Sequence, residues 1–452
     1  MGSLKDKLAR LGSPTGVRAS SFDLGGSELS VPTAEPAAPA ASGSREDPRG
    51  TAEALRLEIA RILAKPLVKR VAHMPNEGEL PFYRLETESG PLYRRTLRYG
   101  AAHRVGRFSV QDGATADMNM IALLALDPSV AGVDPGGLLY VDTETTGLAG
   151  GTGTVPFLVG AAYFEDGSLV LEQLLLRQFG EETPILQRFH ELVVRSTGLV
   201  SYNGKSFDLP LLRTRLVLSR LPPLPERPHV DLVHLARRVH GRRLGACNLT
   251  TVEDKVLGFL REGDIPGGEV VQRFRHFLRT GDEGALVAVV EHNAWDIVAL
   301  ASLLGLYGAP LGSMHAADLV GVSRTLRRSR EWNGASAASE AAVIEGGGAA
   351  ALIERAEVLR ARGERDRAIR DLEAALAQVD DPEARLSLAK LFEHHARAPE
   401  SALALLLRPT NESEGAHRRR VERLERKVSK QQRLTLGEVA CAPTKRGKTP
   451  TR

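Results

Sequence analysis

The segment that most constrains the fold is residues 138–151, LLYVDTETTGLAGG. Its apolar start, bounded by turn residues, is typical of a β-strand covered on both faces. Asp142 and Glu144 follow two residues apart, so their side chains point to the same face of that strand. Two carboxylates on one face repel each other, and a divalent cation would relieve the repulsion. Taken alone, the segment also fits a solvated strand end in which each acid caps a neighbouring group.

Strand and helix patterns continue through residues 137–310. The sequence VPFLVGAAYFEDGSLVLEQLLLRQF predicts two strands joined at EDG in an antiparallel hairpin. Apolar residues then recur at helical spacing in ETPILQRFHELVVR, and GLVSYNG and SFDLPLLRTRLVLSRL predict a further strand and helix. This order of elements predicts an α/β domain with a mixed sheet flanked by helices.

The flanking segments differ in composition. Residues 1–52 are rich in Pro, Ala, Ser and Gly, which predicts a disordered, low-complexity segment. Residues 53–136 predict a small leading helix, TAEALRLEIARILAK, and a small β element. Residues 311–410 have helical periodicity throughout, and we expect residues 411–452 to be a basic, largely disordered tail.

Residues 311–410 contain small residues at the spacing of a tetratricopeptide repeat (TPR). Ala356, Gly363, Ala368 and Ala375 are separated by 7, 5 and 7 residues. These are the positions at which the paired helices of that repeat approach closely. We predict TPR-like helix pairs. A plain helical appendage is the alternative, because only one repeat matches the pattern cleanly.

The net charge of the chain, +4, is distributed unevenly. Residues 416–452 contain twelve Lys and Arg against three Asp and Glu, so the tail carries +9 and the remainder −5. A solvated extension is the simpler interpretation of this tail. A tether for nucleic acid is the alternative, because Lys and Arg displace counterions from phosphates.

Membrane and secretory functions are not indicated by the sequence. No apolar run reaches the roughly 18 to 20 residues that cross a bilayer, and the N-terminus has no apolar signal core. Two cysteines, Cys247 and Cys441, give neither a zinc site nor a disulfide framework. We therefore expect a cytoplasmic protein that does not contact a membrane.

Two later motifs supply further acids. SYNGKSFDLPLL places Asn203 at a strand end and Asp208 in the first turn of the next helix, where an acid is also an ordinary N-terminal residue. EHNAWDIVAL places His292 and Asp296 four residues apart, hence on one face of a helix. Alone, His292 would be an ordinary surface or core histidine.

Together, DTETTGL, NGKSFD and HNAWD resemble the three exonuclease motifs of the DEDD nucleases in the ribonuclease H-like superfamily. Within that superfamily the chain is most similar to the YprB-type domain, through SYNGKSFDLPLL, HVDLVHLARR and DIPG at 264–267. The resemblance covers residues 137–307. It implies a ribonuclease H-like mixed five-stranded sheet flanked by helices, with an all-α TPR-like region as companion.

The resemblance implies a metal-dependent 3′–5′ exonuclease that hydrolyses DNA or RNA. The residues that match the metal-binding acids are Asp142, Glu144, Asp208 and Asp296. They would hold two Mg²⁺ or Mn²⁺ ions, one to activate water and one to stabilise the leaving 3′-oxygen. His292 matches the general base. It combines the residue type of the histidine branch with the spacing of the tyrosine branch, which leaves the assignment of the base open.

The resemblance also implies a site for the end of the nucleic acid. Thr145, Gly147 and Leu148 match the turn beside the terminal nucleotide, and Asn203 and Lys205 match positions near the adjacent phosphate. The glycine-rich GLAGGTGT is not a phosphate loop, because it lacks the Lys-Ser/Thr ending.

Two neighbouring residues are predicted to be structural. Phe207 precedes Asp208 on an otherwise apolar face, so we predict a core position for it, with stacking on a base as the alternative. Asp231 in HVDLVHLARR is predicted to cap its helix.

Two other functions remain open at this level. One is a noncatalytic nucleic-acid-binding or scaffold protein that uses the same fold, and the other is a structure-selective endonuclease. The intact set of acids favours catalysis, and the shape of the substrate channel decides between an end and an interior bond. The helical region suggests a protein partner, and the choice between DNA and RNA depends on 2′-hydroxyl contacts that the sequence does not locate.

Overall fold

A computed structural model describes residues 80–147, 153–309 and 311–440, with side chains through residue 433. The predicted low-complexity segment and the predicted helix TAEALRLEIARILAK lie outside the described residues. Leu148 and residues 441–452 also lie outside them.

A mixed sheet forms the centre of the described part of the chain. Its strands are β1 (Tyr83–Thr87), β2 (Gly90–Tyr99), β5 (Leu138–Thr145), β6 (Pro156–Glu165), β7 (Ser168–Leu175), β8 (Gly198–Ser201) and β9 (His229–Asp231). The short strands β3 (Arg104–Val105) and β4 (Phe108–Ser109) pair separately. The order in the sheet is β1-β2-β7-β6-β5-β8-β9. β5, β8 and β9 are parallel, and the other pairs are antiparallel.

The strand predicted from LLYVDTE is the central β5, and residues 138–141 are each at most 1 % exposed. β6 and β7 form the predicted hairpin, which turns at Asp166 and Gly167 with φ values of 49° and 71°. The fold class is therefore confirmed: residues 137–310 contribute five strands of a mixed sheet, and helices flank it.

β1 and β2 extend this sheet rather than forming a separate leading element, because β2 pairs with β7. The open edge of β7 presents backbone N–H and C=O groups that need partners. The composition of PLYRRTLRY indicates a strand but not the edge on which it pairs.

Eight helices of the described residues belong to this part of the chain. They are α1 (Met118–Ala125), α2 (Thr183–Arg195), α3 (Asp208–Leu218), α4 (Leu232–Val239), α5 (Gly241–Leu244), α6 (Leu249–Val252), α7 (Gly267–Thr280) and α8 (Gly284–Gly308). One core lies between the sheet and α1, α4 and most of α8. The other lies between the sheet and α2, α3 and α7. A π-helical turn, Glu253–Leu257, follows α6.

α8 is long and apolar enough to cross a membrane by length and composition alone. However, 67 % of its most apolar window is buried inside the protein. The helix also carries Asn293, which is fully buried, and Asp296. α8 is therefore the central core helix of this domain.

The remaining described residues are helical, as predicted. The helices are α9 (Ala316–Arg328), α10 (Trp332–Ile344), α11 (Gly348–Arg362), α12 (Arg365–Leu376), α13 (Pro382–His394), α14 (Pro399–Leu405) and α15 (Glu414–Ala440). Ala356, Ala368 and Ala375 are at most 1 % exposed where α11 packs on α12, and Gly363 ends α11 with a φ of 87°. The identity of these helices as TPR-like stays a prediction.

The segment predicted as a largely disordered tail instead forms α15 through residue 440. Glu393 of α13 accepts hydrogen bonds from Arg423, Lys427 and Arg420 of this helix. The hydrogen bonds from Arg423 and Lys427 lower the pKa of Glu393 to about 2. Leu424 is fully buried in the same contact. The basic composition of the tail by itself indicates a solvated segment. The carboxylate that pairs with these basic residues lies on another helix, so the sequence of the tail does not reveal it.

Candidate active site

Asp142 and Glu144 lie at the end of β5 on the side that faces α8. Leu138 and Tyr140 of the same strand face belong to the core that contains α8, and alternation places both acids on that side. Asp142 Oδ2 accepts a hydrogen bond of 2.8 Å from Asn293 Nδ2.

Asn293 is fully buried on α8, and its orientation is fixed by a second partner. Gln173 Nε2 of β7 donates to Asn293 Oδ1 at 2.9 Å and to the Val290 carbonyl at 2.7 Å. The amide group of Asn293 therefore directs a donor at Asp142 and connects the central strand to the helix that carries the third motif.

Asp208 is the first residue of α3 and is 9 % exposed. Its carboxylate accepts a hydrogen bond from the hydroxyl of Thr143, the residue between the two acids of β5. The preceding turn has room only for a glycine at Gly204. A Cβ there would lie 2.5 Å from Ser201 Oγ and 2.9 Å from Asp208 Oδ2. The NGKSFD turn thus brings the third acid against β5.

His292 and Asp296 lie one turn apart on α8 and face Glu144. One ligand atom from each of these three residues can be chosen so that all lie within 4.8 Å of one another. Oxygen and imidazole donors at this separation are able to hold a divalent metal ion.

The pKa values of three acids in the cluster are raised, chiefly by burial. The charges of Asp296, Asp208 and Glu144 add to this for Asp142, whose pKa lies well above its ordinary value. Burial also raises the pKa of Glu144 to about 7 and that of Asp208 to about 6. Buried carboxylates that repel one another when ionised are stabilised by a bound divalent cation, so the residues present fit a metal site.

The ring of His292 is held from outside α8 by Asp264. Asp264 Oδ1 lies 2.5 Å from His292 Nδ1. This leaves Nε2 facing Glu144 Oε1 at 3.9 Å and Asp296 Oδ2 at 3.5 Å. Burial by itself lowers the pKa of His292, but the charges of Asp296, Glu144 and Asp264 and the hydrogen bond to Asp264 together raise it.

Arg261 is a buried cation at the edge of the cluster, with a side chain that is 4 % exposed. It is ion-paired with Asp296 and with Glu253 of the π-helical turn, the latter at 2.7 Å. Its guanidinium lies 5.8 Å from the ring centre of Trp295. Arg261 therefore fixes one side of the Asp296 carboxylate and offsets part of the negative charge.

A sequence profile of the ribonuclease H superfamily matches residues 139–307, the span from β5 to the end of α8. These residues form a ribonuclease H-like domain. The chain is also 37 % identical over 216 residues to the uncharacterized protein YprB of Bacillus subtilis (strain 168). The match covers 46 % of this chain and 51 % of YprB, so the chain spans about half the length of this curated relative. The domain is of the YprB type and has a nuclease-type fold.

Among solved structures, the family B DNA polymerase from the archaeon Pyrobaculum calidifontis is similar over 50 % of this chain and 29 % of its own. The sequence identity is 16 % and the TM-score is 0.31.

In the YprB-type domain, the NGKSFD turn is joined to α4. Asp231 caps α4 as predicted, and its carboxylate also accepts hydrogen bonds from the backbone N–H groups of Asn203 (2.6 Å) and Lys205 (3.1 Å). Lys205 Nζ lies 3.4 Å from Asp127 Oδ2. The predicted core position of Phe207 is wrong, since its side chain is 54 % exposed. Asp208 takes the buried position, and the residue before it points outward.

The turn after β5 begins with a shift of register between Glu144 and Thr145. Thr145 Oγ1 donates to the carbonyl of Gly147 at 2.9 Å. Thr145 directly follows Glu144 of the acid cluster, and Leu148 lies outside the described residues. Their role in holding a nucleotide stays a prediction, as do the roles of Asn203 and Lys205.

Sequence reasoning assigned no site role to four residues that contact the cluster, one of which, Thr143, lies inside DTE. Asn293 lies inside HNAWD, where the motif itself could have indicated it. Asp264 belongs to DIPG, which contributes to the resemblance to the YprB-type domain but does not by itself indicate a site role. Arg261 has no sequence signal, because its contacts with Asp296 and His292 form through folding of a loop.

The raised pKa values predict how the stability of the metal-free domain depends on pH. A carboxyl whose folded pKa exceeds its unfolded pKa contributes stability at low pH and loses it as the pH rises through the folded value. For Glu144 and Asp208 the loss falls between about pH 4 and pH 7. Thermal unfolding in EDTA should therefore show a melting temperature that falls between about pH 4 and pH 7. The Glu144→Gln variant should show a shallower fall, and an equal slope would contradict the assignment.

Proposed function

We propose that this chain is a metal-dependent nuclease of the DEDD type that removes nucleotides from the 3′ end of DNA or RNA. The observation that carries the proposal is the convergence of four acids from three separated motifs. They are Asp142, Glu144, Asp208 and Asp296. Three of the four have raised pKa values because they are buried together.

These four acids would hold two Mg²⁺ or Mn²⁺ ions. When bound, the ions supply an activated water and positive charge at the leaving 3′-oxygen. Thr143 and Asn293 keep Asp208 and Asp142 in place through their hydrogen bonds. The chain therefore supplies both the ligands and the groups that orient them.

His292 is the group that we propose to accept the proton of the attacking water, at Nε2. Its Nδ1 is engaged by Asp264, which fixes the tautomer and the ring plane. The surrounding carboxylates now hold the pKa of His292 above its usual value. Neutralising those charges would lower that pKa towards the range in which imidazole acts as a base. The unusual spacing to Asp296 is thus supported by a partner outside the helix.

The substrate end would lie between the turn after β5 and the NGKSFD turn. Thr145, Gly147 and Leu148 would contact the terminal nucleotide, and Asn203 and Lys205 the adjacent phosphate. The exposed ring of Phe207 lies next to Asp208 and offers a stacking surface for a base.

Replacing Phe207 should test this stacking surface. Stacking of a base on an aromatic ring contributes about 1–3 kcal/mol. We therefore expect Phe207→Ala to weaken binding of a single-stranded oligonucleotide by about 5-fold to 150-fold, while Phe207→Tyr retains it. Because the ring is exposed, unfolding stability should be nearly unchanged. Val217→Ala, at a 70 % exposed position on the helix that Phe207 precedes, is the matched control. Equal binding by all three variants would remove Phe207 from the substrate site.

The activity is tested with end-labelled single- and double-stranded DNA and RNA in Mg²⁺ or Mn²⁺, with Asp142→Ala/Glu144→Ala as control. A ladder of shortened products that only the wild type produces supports the exonuclease. Internal cuts indicate a structure-selective endonuclease. Binding without cleavage indicates a noncatalytic scaffold. Cytoplasmic location and a protein partner for the TPR-like helices belong to the same proposal.

A further inference from the structure

A basic surface lies where α4 and α5 of the ribonuclease H-like domain meet α9. Its members, which we call the junction arginines, are Arg237, Arg238, Arg242, Arg243, Arg324, Arg327 and Arg328. Arg237, Arg242 and Arg328 are exposed, and the other four are partly buried.

The two parts of this surface are held together by direct packing. Gly321 lets α9 lie against the end of α4, since a Cβ at this position would be 2.2 Å from the carbonyl oxygen of Val239. Asp318 of α9 accepts two hydrogen bonds from Arg243, at 2.7 and 2.9 Å. Asp318 also lies 3.0 Å from Nδ1 of the buried His240. The arginines of the two helices are therefore in a fixed arrangement.

Few carboxylates offset this charge. Asp318 pairs with Arg243, and the buried Glu354 pairs with Arg327 at 3.1 Å and with Arg324 at 3.5 Å. Two carboxylates against seven guanidinium groups leave a surplus of five positive charges. The charge of Glu383 raises the pKa of Arg324, and if Glu383 is also counted the surplus is four positive charges.

The remaining arginines repel one another. The pKa of Arg238 is lowered by burial and by the charge of Arg328. Burial lowers the pKa of Arg324. The charge of Glu354 raises this pKa, and the charges of Arg242 and Arg327 lower it. Within the described ranges, Arg237, Arg242 and Arg328 have no carboxylate within ion-pair distance. A polyanion on this surface would relieve the repulsion.

Helix α4 connects this surface to the proposed substrate site. Asp231 caps the start of α4, and its carboxylate accepts hydrogen bonds from the backbone N–H groups of Asn203 and Lys205. Helix α4 has 8 residues and so is about 12 Å long. Arg237 near its end is close enough for its charge to oppose the effect of burial on the pKa of Tyr202. At about 3.4 Å per nucleotide of a stacked strand, α4 spans three to four nucleotides.

We propose that the junction arginines bind the phosphate backbone of a single nucleic-acid strand several nucleotides from the end held in the active site. The choice of nucleic acid rests on the proposed function, because α4 links the arginines to the NGKSFD turn. The geometry gives the helical region a direct part in substrate binding, since α9 supplies three of the seven arginines. Guanidinium groups suit phosphate oxygens because their planar donors match them.

The test compares two triple variants of the full chain. Arg237→Ala/Arg242→Ala/Arg328→Ala removes the three exposed junction arginines, none of which has a carboxylate partner among the described residues. Arg195→Ala/Arg275→Ala/Arg279→Ala removes three exposed arginines from α2 and α7, which pack on the other face of the sheet. Binding of a fluorescent single strand of about 20 nucleotides, which is more than long enough to reach from one site to the other at about 3.4 Å per nucleotide, is measured in EDTA over a range of salt concentrations.

We expect the junction variant to bind at least about tenfold more weakly, and its slope of log K against log salt to fall by about 2, because each phosphate contact to a single strand contributes about 0.7. The control variant should bind as the wild type does. Equal binding by the two variants overturns the proposal, and so does a poly-glutamate competitor that displaces the strand at equal charge concentration. Because no cleavage occurs in EDTA, this binding measurement tests the role of the junction arginines independently of the nuclease activity.

Discussion

Replacing Asp142 with asparagine should abolish most phosphodiester hydrolysis and at the same time raise the melting temperature of the metal-free protein. Changes to residues that only orient a metal ligand typically cost about 10–100-fold. Loss of a carboxylate that we assign as a ligand should therefore cost more than about a hundredfold. The stability gain follows from the raised pKa of Asp142, because an ionised carboxylate there is buried beside three other acids. An amide keeps the shape of the side chain and can still accept from Asn293.

Cleavage of a labelled strand gives the activity, and thermal unfolding in EDTA and in Mn²⁺ gives the stability. The wild type should gain stability from Mn²⁺, and Asp142→Asn should gain much less. Asp166→Asn in the exposed β6–β7 turn makes the same chemical change away from the acids and is the control. An Asp142→Asn variant that keeps its activity, or whose melting temperature falls in EDTA, contradicts the acid cluster as a metal site.

The parts of the site that the sequence predicted are those determined by local periodicity. The two-residue repeat of a strand placed Asp142 and Glu144 on one face, and the helical repeat placed His292 and Asp296 together. The order of the three motifs matches a family pattern, and that resemblance assigned Asp208 to the same site as these residues. Residues 137–310 contributed the predicted five strands for the same reason, because each strand and turn has its own signal.

The parts that the sequence did not predict depend on contacts between distant segments. Asp264 and Arg261 reach the cluster through a loop, 28 and 35 residues from His292 and Asp296 respectively. The outward side chain of Phe207 follows from the tertiary position of α3 rather than from hydrophobicity. The ordered helix α15 depends on Glu393, which no pattern within the tail reveals.

The close approach of α8 to the sheet is another contact that the sequence does not show, and Gly160 makes it possible. Gly160 of β6 is paired with Asp142 in the sheet. A Cβ at Gly160 would lie 2.1 Å from Ile297 Cδ1 and 2.4 Å from Asn293 Oδ1. Both of these side chains are fully buried, so neither can move aside freely. Gly160→Ala should therefore cost about 1–3 kcal/mol of unfolding free energy. It should also reduce activity, because Asn293 would move away from Asp142.

A second substitution separates these two effects. Ile297→Val removes the Cδ1 atom and by itself should cost about 0.5–1.5 kcal/mol. In the Gly160→Ala background the same change should instead raise stability, because it removes the nearest clash. Activity should stay low in the double variant, since the overlap with Asn293 Oδ1 persists. Gly100→Ala, where a Cβ meets nothing within 4 Å, is the control. If Gly160→Ala matched that control in denaturant unfolding and in cleavage rate, α8 would not lie this close to the sheet. The position of His292 and Asp296 over β5 would then be wrong.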